Sequence, residues 1–229
     1  DMTTRSEGRV DGVFHVSHLL WGLHDSQKER RTPDMATSSS QRATLGLTTM
    51  AWILIPVGVG INLVGHFIAQ TLRLPIFLDV IGTILVGVLA GPWAGAIAGL
   101  VTNVVAALIL TPTWLPYAIV NILIGIAAGY LARGGWFRDV PRTVVSGFII
   151  AVIGVVSSAP ITAYVYGGVT GAGEDVIRAY LYATGQNLLQ GALTASAITE
   201  PVDKILSALI VYVVINNLPR RYRERFRPA

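Results

Sequence analysis

The chain has 229 residues, no cysteine, a formal net charge of +4, and 52% hydrophobic against only 13% charged residues. A soluble domain carries roughly 25% charged residues, so this composition, with a mean hydropathy of +0.59, argues for a surface facing lipid rather than water. The lack of Cys excludes disulfides, thiolate metal sites and a cysteine nucleophile, and the basic residues sit at the edges of apolar runs, which points to topology and anionic lipid rather than nucleic acid.

Residues 1–43 read as a flexible polar tail of mixed charge. His15, His18 and His24 fall close together there, but no Cys or tight carboxylate cluster joins them, so a plain tail is favoured over a metal site. No basic stretch runs directly into an apolar one, which speaks against a signal peptide. Met35 offers an alternative start.

Residues 44–219 are expected to form the membrane domain. A hydrocarbon core of ~30 Å takes about 20 apolar residues per helix. The first helix is expected over Leu45–Gln70. The second runs from Pro75, a good first-turn position for proline, to Ala90, and Gly91-Pro92 breaks it. The third spans Trp93–Leu110, and Thr111-Pro112-Thr113 ends it. The fourth spans Trp114–Ala132, a basic loop follows from Arg133 to Arg142, and the fifth runs over Thr143–Tyr166. Gly167–Gly173 reads as a flexible loop and Glu174–Ala183 as a short amphipathic helix. Gln186–Thr199 is apolar but, at about 14 residues, too short to span, and reads as an interfacial or re-entrant helix. The sixth membrane helix is then Pro201–Leu218; the alternative is one long kinked helix over Gln186–Asn217. Residues 220–229 form a basic tail. The expected fold class is thus all-α: an integral membrane bundle of six transmembrane helices, with short interfacial helices between the fifth and sixth.

Orientation follows from Lys and Arg. With both termini cytoplasmic, fourteen of them lie inside and only Arg73, Arg178 and Lys204 outside. Setting aside those before Arg42 still leaves nine against three, so the positive-inside rule places both termini in the cytoplasm.

Polar residues then gather in the outer half: Asn62, His66 and Gln70, Asp79 and Thr83, Asn103, Asn121, Ser157 to Tyr166, and Glu200, Asp203 and Lys204. The inner halves, such as Ala51–Gly60 and Ile84–Ala90, hold little beyond Gly, Ala and aliphatics. Polar side chains inside a membrane usually face the bundle interior or a watery cavity. Six helices contributing them at one depth point to a shared pocket open to the outside. Interfacial polarity and interhelical hydrogen bonds account for single residues equally well, and Glu200, Asp203 and Lys204 also suit a helix first turn and an i,i+4 pair. Small residues recur at Gly65-x-x-x-Ala69, through Gly87, Gly91, Gly95 and Gly99, and at Gly125-x-x-x-Gly129; they let helices approach closely.

No phosphate loop, His-Glu-x-x-His, Gly-x-Ser-x-Gly elbow or Arg-repeat helix occurs. No catalytic residue, cofactor or resident metal is expected. The chain reads as a small-molecule binder without its own engine.

Three segments together resemble the substrate-binding S components of energy-coupling factor (ECF) vitamin transporters. They are Leu74-Pro75-Ile76-Phe77-Leu78-Asp79 through Thr83, the Ala90-Gly91-Pro92-Trp93 turn with its small-residue helix to Asn103, and Pro201-Val202-Asp203-Lys204 followed by Leu218-Pro219-Arg220-Arg221. The resemblance covers roughly Leu45 to Arg221. It implies a multi-pass protein of a prokaryotic cell membrane, binding a water-soluble vitamin or precursor from outside. It also implies partners: a transmembrane coupling subunit with two ATPase subunits. A small-residue docking patch on the first helix belongs to the family pattern, and Gly65-x-x-x-Ala69 is the nearest match here. The residues expected to bind substrate are Asp79, Asn103, Asn121, Tyr164, Asn187, Gln190, Glu200 and Lys204. Carboxylates would fix an amine or ring N–H, amides would read ring heteroatoms, and Tyr164, Tyr166 and Trp114 would stack on a flat ring. The surplus of acids favours a cationic or pyrimidine-like ligand. The Gly167–Gly173 loop and the short helix after it would act as a lid. The competing class is a membrane sensor or assembly module that binds a ligand or partner without transport.

Overall fold

The computed structural model describes residues 49–219. The expectations for the tail 1–43 and for residues 220–229 lie outside the described residues. Among the described residues there is no strand, and seven α-helices follow one another. They are α1 (Thr49–Thr71), α2 (Ile81–Ala90), α3 (Pro92–Ile109), α4 (Ala118–Arg133), α5 (Val140–Pro160), α6 (Asp175–Ala183) and α7 (Leu188–Asn217). A 3₁₀ turn at Pro112–Trp114 precedes α4, and a π turn at Ile161–Val165 extends α5.

Among the described residues, three stretches are long and apolar enough to cross a membrane: Thr49–Thr71, Pro92–Ile109 and Val140–Val165. The bundle is apolar on its outer surface as well as in its core. On α1, Trp52, Ile53, Val57, Val64 and Phe67 are exposed, while Gly58, Asn62, Gly65 and Ala69 are buried. These four recur at helical spacing, so one face of small and polar residues turns inward and the bulky apolar face meets lipid.

The small residues hold the helices together. A Cβ on Gly95 would stand 2.7 Å from the Gly125 carbonyl oxygen, and one on Gly87 would stand 2.8 Å from the same oxygen. α2, α3 and α4 therefore meet backbone to backbone, and no side chain fits between them. α5 packs along α7. Ile84, Leu89, Ile124, Ala128, Ile150, Ala208 and Val211 fill the core with aliphatic groups.

α4 starts at Ala118 rather than Trp114 and α5 at Val140 rather than Thr143, and two larger departures from the expected boundaries stand out. α2 begins at Ile81, not Pro75. A carboxylate on α7 redirects the chain before it: Asp203 Oδ1 accepts hydrogen bonds from the backbone N–H of Phe77 at 3.1 Å and of Leu78 at 2.8 Å. Leu78 is held at φ 52°, a left-handed conformation that costs a side-chain-bearing residue about 1–2 kcal/mol. The ten residues of α2 rise only about 15 Å. Residues 72–80 complete this leg as irregular backbone, which at membrane depth is tolerated where protein surrounds it.

The second departure is α7. The reading of a separate re-entrant segment before Pro201 is corrected: one helix of 30 residues runs from Leu188 to Asn217 with Pro201 inside it. Proline removes one helical hydrogen bond, and the turns on both sides continue. A single short helix, α6, therefore lies between α5 and α7.

Candidate functional site

A cavity of about 140 Å³ opens where α1, α3 and α5 finish and α4 begins. Its walls come from His66 and Ala69 on α1, the irregular stretch Leu74–Val80, Asn103 on α3, and Trp114, Tyr117 and Asn121 around the start of α4. Ser158 and Thr162 at the end of α5, residues 170–174, Arg178 on α6, and Glu200 and Lys204 on α7 complete it.

The charged wall centres on Lys204. Its ammonium lies 2.5 Å from Asp203 Oδ2, 3.0 Å from Glu200 Oε2 and 3.9 Å from Asp79 Oδ1. Glu200 and Lys204 are one helical turn apart, so α7 alone aligns them. Asp203 is fully buried and serves two elements at once: Oδ2 pairs with Lys204, while Oδ1 takes the Phe77 and Leu78 N–H groups. That grip places Asp79 beside Lys204 and brings the Phe77 ring under the ammonium, 5.6 Å from its centroid.

The amide wall joins α3 to α4. Asn121 Nδ2 donates to Asn103 Oδ1 at 2.8 Å, and Asn103 Nδ2 donates to the Trp114 carbonyl at 2.9 Å. Both side chains are buried. Trp114 meets His66 edge-on with centroids 4.3 Å apart. Tyr117 and Thr162 share a hydrogen bond of 2.7 Å, and Tyr166 stacks behind Tyr117 at 5.8 Å.

The third wall is residues 170–178. Asp175 accepts from the N–H of Thr170 and of Gly171, which closes the turn. Buried Arg178 pairs with Glu174 and Asp175 and donates to Thr170. Thr199 on α7 donates to Glu174 Oε1 at 3.0 Å and ties this wall to the bundle.

Most buried polar groups in native proteins find partners. Here the exceptions cluster: His66 Nδ1 and Nε2, Asp79 Oδ1, Asn121 Oδ1, Ser158 Oγ and Arg178 Nε are buried without a hydrogen-bond partner, Glu200 Oε2 has only its ion pair with Lys204 at 3.0 Å, and all belong to cavity-lining residues. Among the described residues, Gln186 and Ser207 alone carry such atoms elsewhere. The cavity is thus lined by residues whose polar groups are incompletely satisfied within the chain.

Of the residues expected to bind substrate, Asp79, Asn103, Asn121, Glu200 and Lys204 come together here. Three do not. Asn187 and Gln190 form a capping box at the start of α7 and are solvent-facing; their side chains satisfy helix N–H groups rather than a ligand. Tyr164 is 74% exposed, because the inward face of this stretch is set by Ser158 and Thr162, one turn apart, and Tyr164 falls off it. Gly65 and Ala69, expected to dock a partner, are both buried, and a Cβ on Gly65 would strike the Leu78 carbonyl. Gly65 thus seats the Leu74–Val80 stretch within the chain.

Sequence reasoning left Phe77, Tyr117, Thr162, Glu174 and Arg178 out of the site. The i,i+4 spacing of Glu174 and Arg178 was the one visible signal, and on an amphipathic helix it reads as an ordinary surface pair.

A family model described as "ECF transporter, substrate-specific component" matches residues 49–215. No curated protein and no solved structure matches the chain.

Proposed function

Since the chain belongs to the substrate-specific components of ECF transporters, we propose that it captures a small, water-soluble, vitamin-like compound in the cavity between α1, α4 and α7 and delivers it inward. A transmembrane coupling subunit with two ATPase subunits would supply the energy, since the chain carries no phosphate loop of its own. The observation that carries the reading is one cavity of about 140 Å³ whose lining residues carry most of the buried polar atoms left without a hydrogen-bond partner among the described residues. Few, converging polar groups set in an apolar and aromatic frame are what small-molecule sites use for orientation and specificity. The binding residues are Asp79, Asn103, Asn121, Glu200 and Lys204, with His66, Trp114 and Tyr117 framing the ligand.

Both termini lie in the cytoplasm of a multi-pass chain with six membrane legs, α6 being interfacial. The Leu72–Val80 and Thr170–Arg178 segments then face outward, and so does the mouth of the cavity. The absence of cysteine makes this directly testable: single cysteines at Arg73 and Arg138 should be labelled by an impermeant thiol reagent from opposite sides of the membrane, Arg73→Cys from outside. Labelling of Arg138→Cys from outside would reverse the orientation. Capture itself is tested by purifying the full chain and identifying released small molecules by mass spectrometry, alongside uptake in cells. Uptake that is unchanged in both Asp79→Ala and Glu200→Ala would remove the transport reading.

A further inference from the structure

Resting on that reading, we propose that the pocket selects a flat, single-ring nitrogen compound that is positively charged or rich in N–H donors, and rejects anions of the same size. Three carboxyl groups surround the single ammonium of Lys204, which formally leaves two negative charges over. Arg178, the other lining residue with a fixed positive charge, is already engaged by Glu174 and Asp175. An anionic ligand would find no cation free of carboxylate partners. A cationic one would offset the surplus of carboxyl groups over cations.

The unpaired atoms carry the same sign. Asp79 Oδ1 and Asn121 Oδ1 are acceptors without a hydrogen-bond partner, and Glu200 Oε2 has only the Lys204 ammonium; Arg178 Nε is the one obligate donor, and Ser158 and His66 can serve either way. Buried acceptors in excess call for a donor-rich ligand. Asn121 and Arg178 are each 3% exposed and line the cavity. The carboxylates also divide their work. Asp203 is consumed by Lys204 and two backbone N–H groups, whereas Asp79 meets Lys204 only at 3.9 Å and Glu200 meets it through one oxygen at 3.0 Å. Room for the Glu200 carboxylate is built into α5: a Cβ on Gly154 would stand 2.6 Å from Glu200 Oε2. The rings of Trp114, Tyr117 and Phe77 and the modest volume favour one planar ring over a larger or puckered body.

The test uses three ring compounds of nearly equal size on the purified full chain: protonated 4-aminopyridine, its neutral isostere aniline, and the anion isonicotinate. Thermal stabilisation at millimolar ligand is read for each. Protonated 4-aminopyridine should bind at least about tenfold more tightly than aniline, and isonicotinate should not stabilise at all. The preference over aniline should vanish in Glu200→Gln, with Gly154→Ala as a second variant that displaces the same carboxylate without removing it. Equal stabilisation by aniline, stabilisation by isonicotinate, or none by 4-aminopyridine overturns the proposal. Mass spectrometry of released compounds separates the two levels. A neutral or anionic native ligand sinks the charge preference and leaves capture standing, whereas finding no ligand and no stabilisation by any probe removes capture as well.

Discussion

Two buried polar networks lie within this bundle, and they differ in one respect. The first centres on Asn62 of α1. Its Nδ2 donates to Thr83 Oγ1 at 2.8 Å and to Thr102 Oγ1 at 3.0 Å, and its Oδ1 accepts from Gly82 N at 2.6 Å. Thr102 passes its own proton to the Ala98 carbonyl. Every polar side-chain atom of Asn62 is satisfied, and the network caps the start of α2 from a neighbouring helix. The second centres on Lys204, and around it the cavity-lining residues Asp79, Asn121 and His66 keep atoms without a hydrogen-bond partner. Both networks are buried and both link several helices. Burial of a polar residue in a membrane bundle therefore does not mark a binding site; incomplete satisfaction next to a cavity does.

The comparison breaks most visibly at Asp203, the residue that belongs to the site yet is itself fully used. Asp203→Ala should cost about 3–5 kcal/mol of stability, read as a loss of folded protein in detergent, because a buried ammonium and two backbone N–H groups lose their partner together. Asn62→Leu should cost about 2 kcal/mol in the same assay and leave ligand affinity unchanged; a selective loss of affinity would mean the two networks are coupled. Glu200→Gln should do the reverse. Affinity should fall about tenfold, or 1.4 kcal/mol, with thermal stability kept or raised, since an imperfectly paired buried charge is removed. Asn187→Ala should cost about 1 kcal/mol through the lost cap with no change in binding. Tyr164→Leu should move stability by less than about 0.5 kcal/mol and binding not at all. A binding defect in either of the last two would restore them to the site.

The membrane character and most of the helix positions were legible because lipid demands long apolar runs, and breakers such as Gly91-Pro92 punctuate them. Asp79, Asn103, Asn121, Glu200 and Lys204 were legible because polar residues at one depth have few reasons to be there. Depth is a one-dimensional signal, however, and it does not resolve which way round a helix a residue points. Asn62 and Asn103 look equivalent in sequence, yet one completes a closed network and the other lines the cavity. Tyr164 shares the depth of Thr162 and faces away. The start of α2 was hidden for a different reason: the group that unwinds residues 72–80 is Asp203, more than 120 positions later, and no local propensity records it. Arg178 was hidden because a short amphipathic helix reads as surface until another element covers it.

The contact between Gly65 and the Leu78 carbonyl bears on which sequences this protein tolerates. Adding one methyl group at position 65 would lift Leu78, and with it the neighbouring carboxylate of Asp79. A substitution in the middle of a lipid-facing helix, bearing no functional group at all, would thereby behave as a recognition mutant. In descendants of this chain, small residues at 65 should persist together with the acid at 79, and a larger residue should be accepted there only where the chosen cargo has changed.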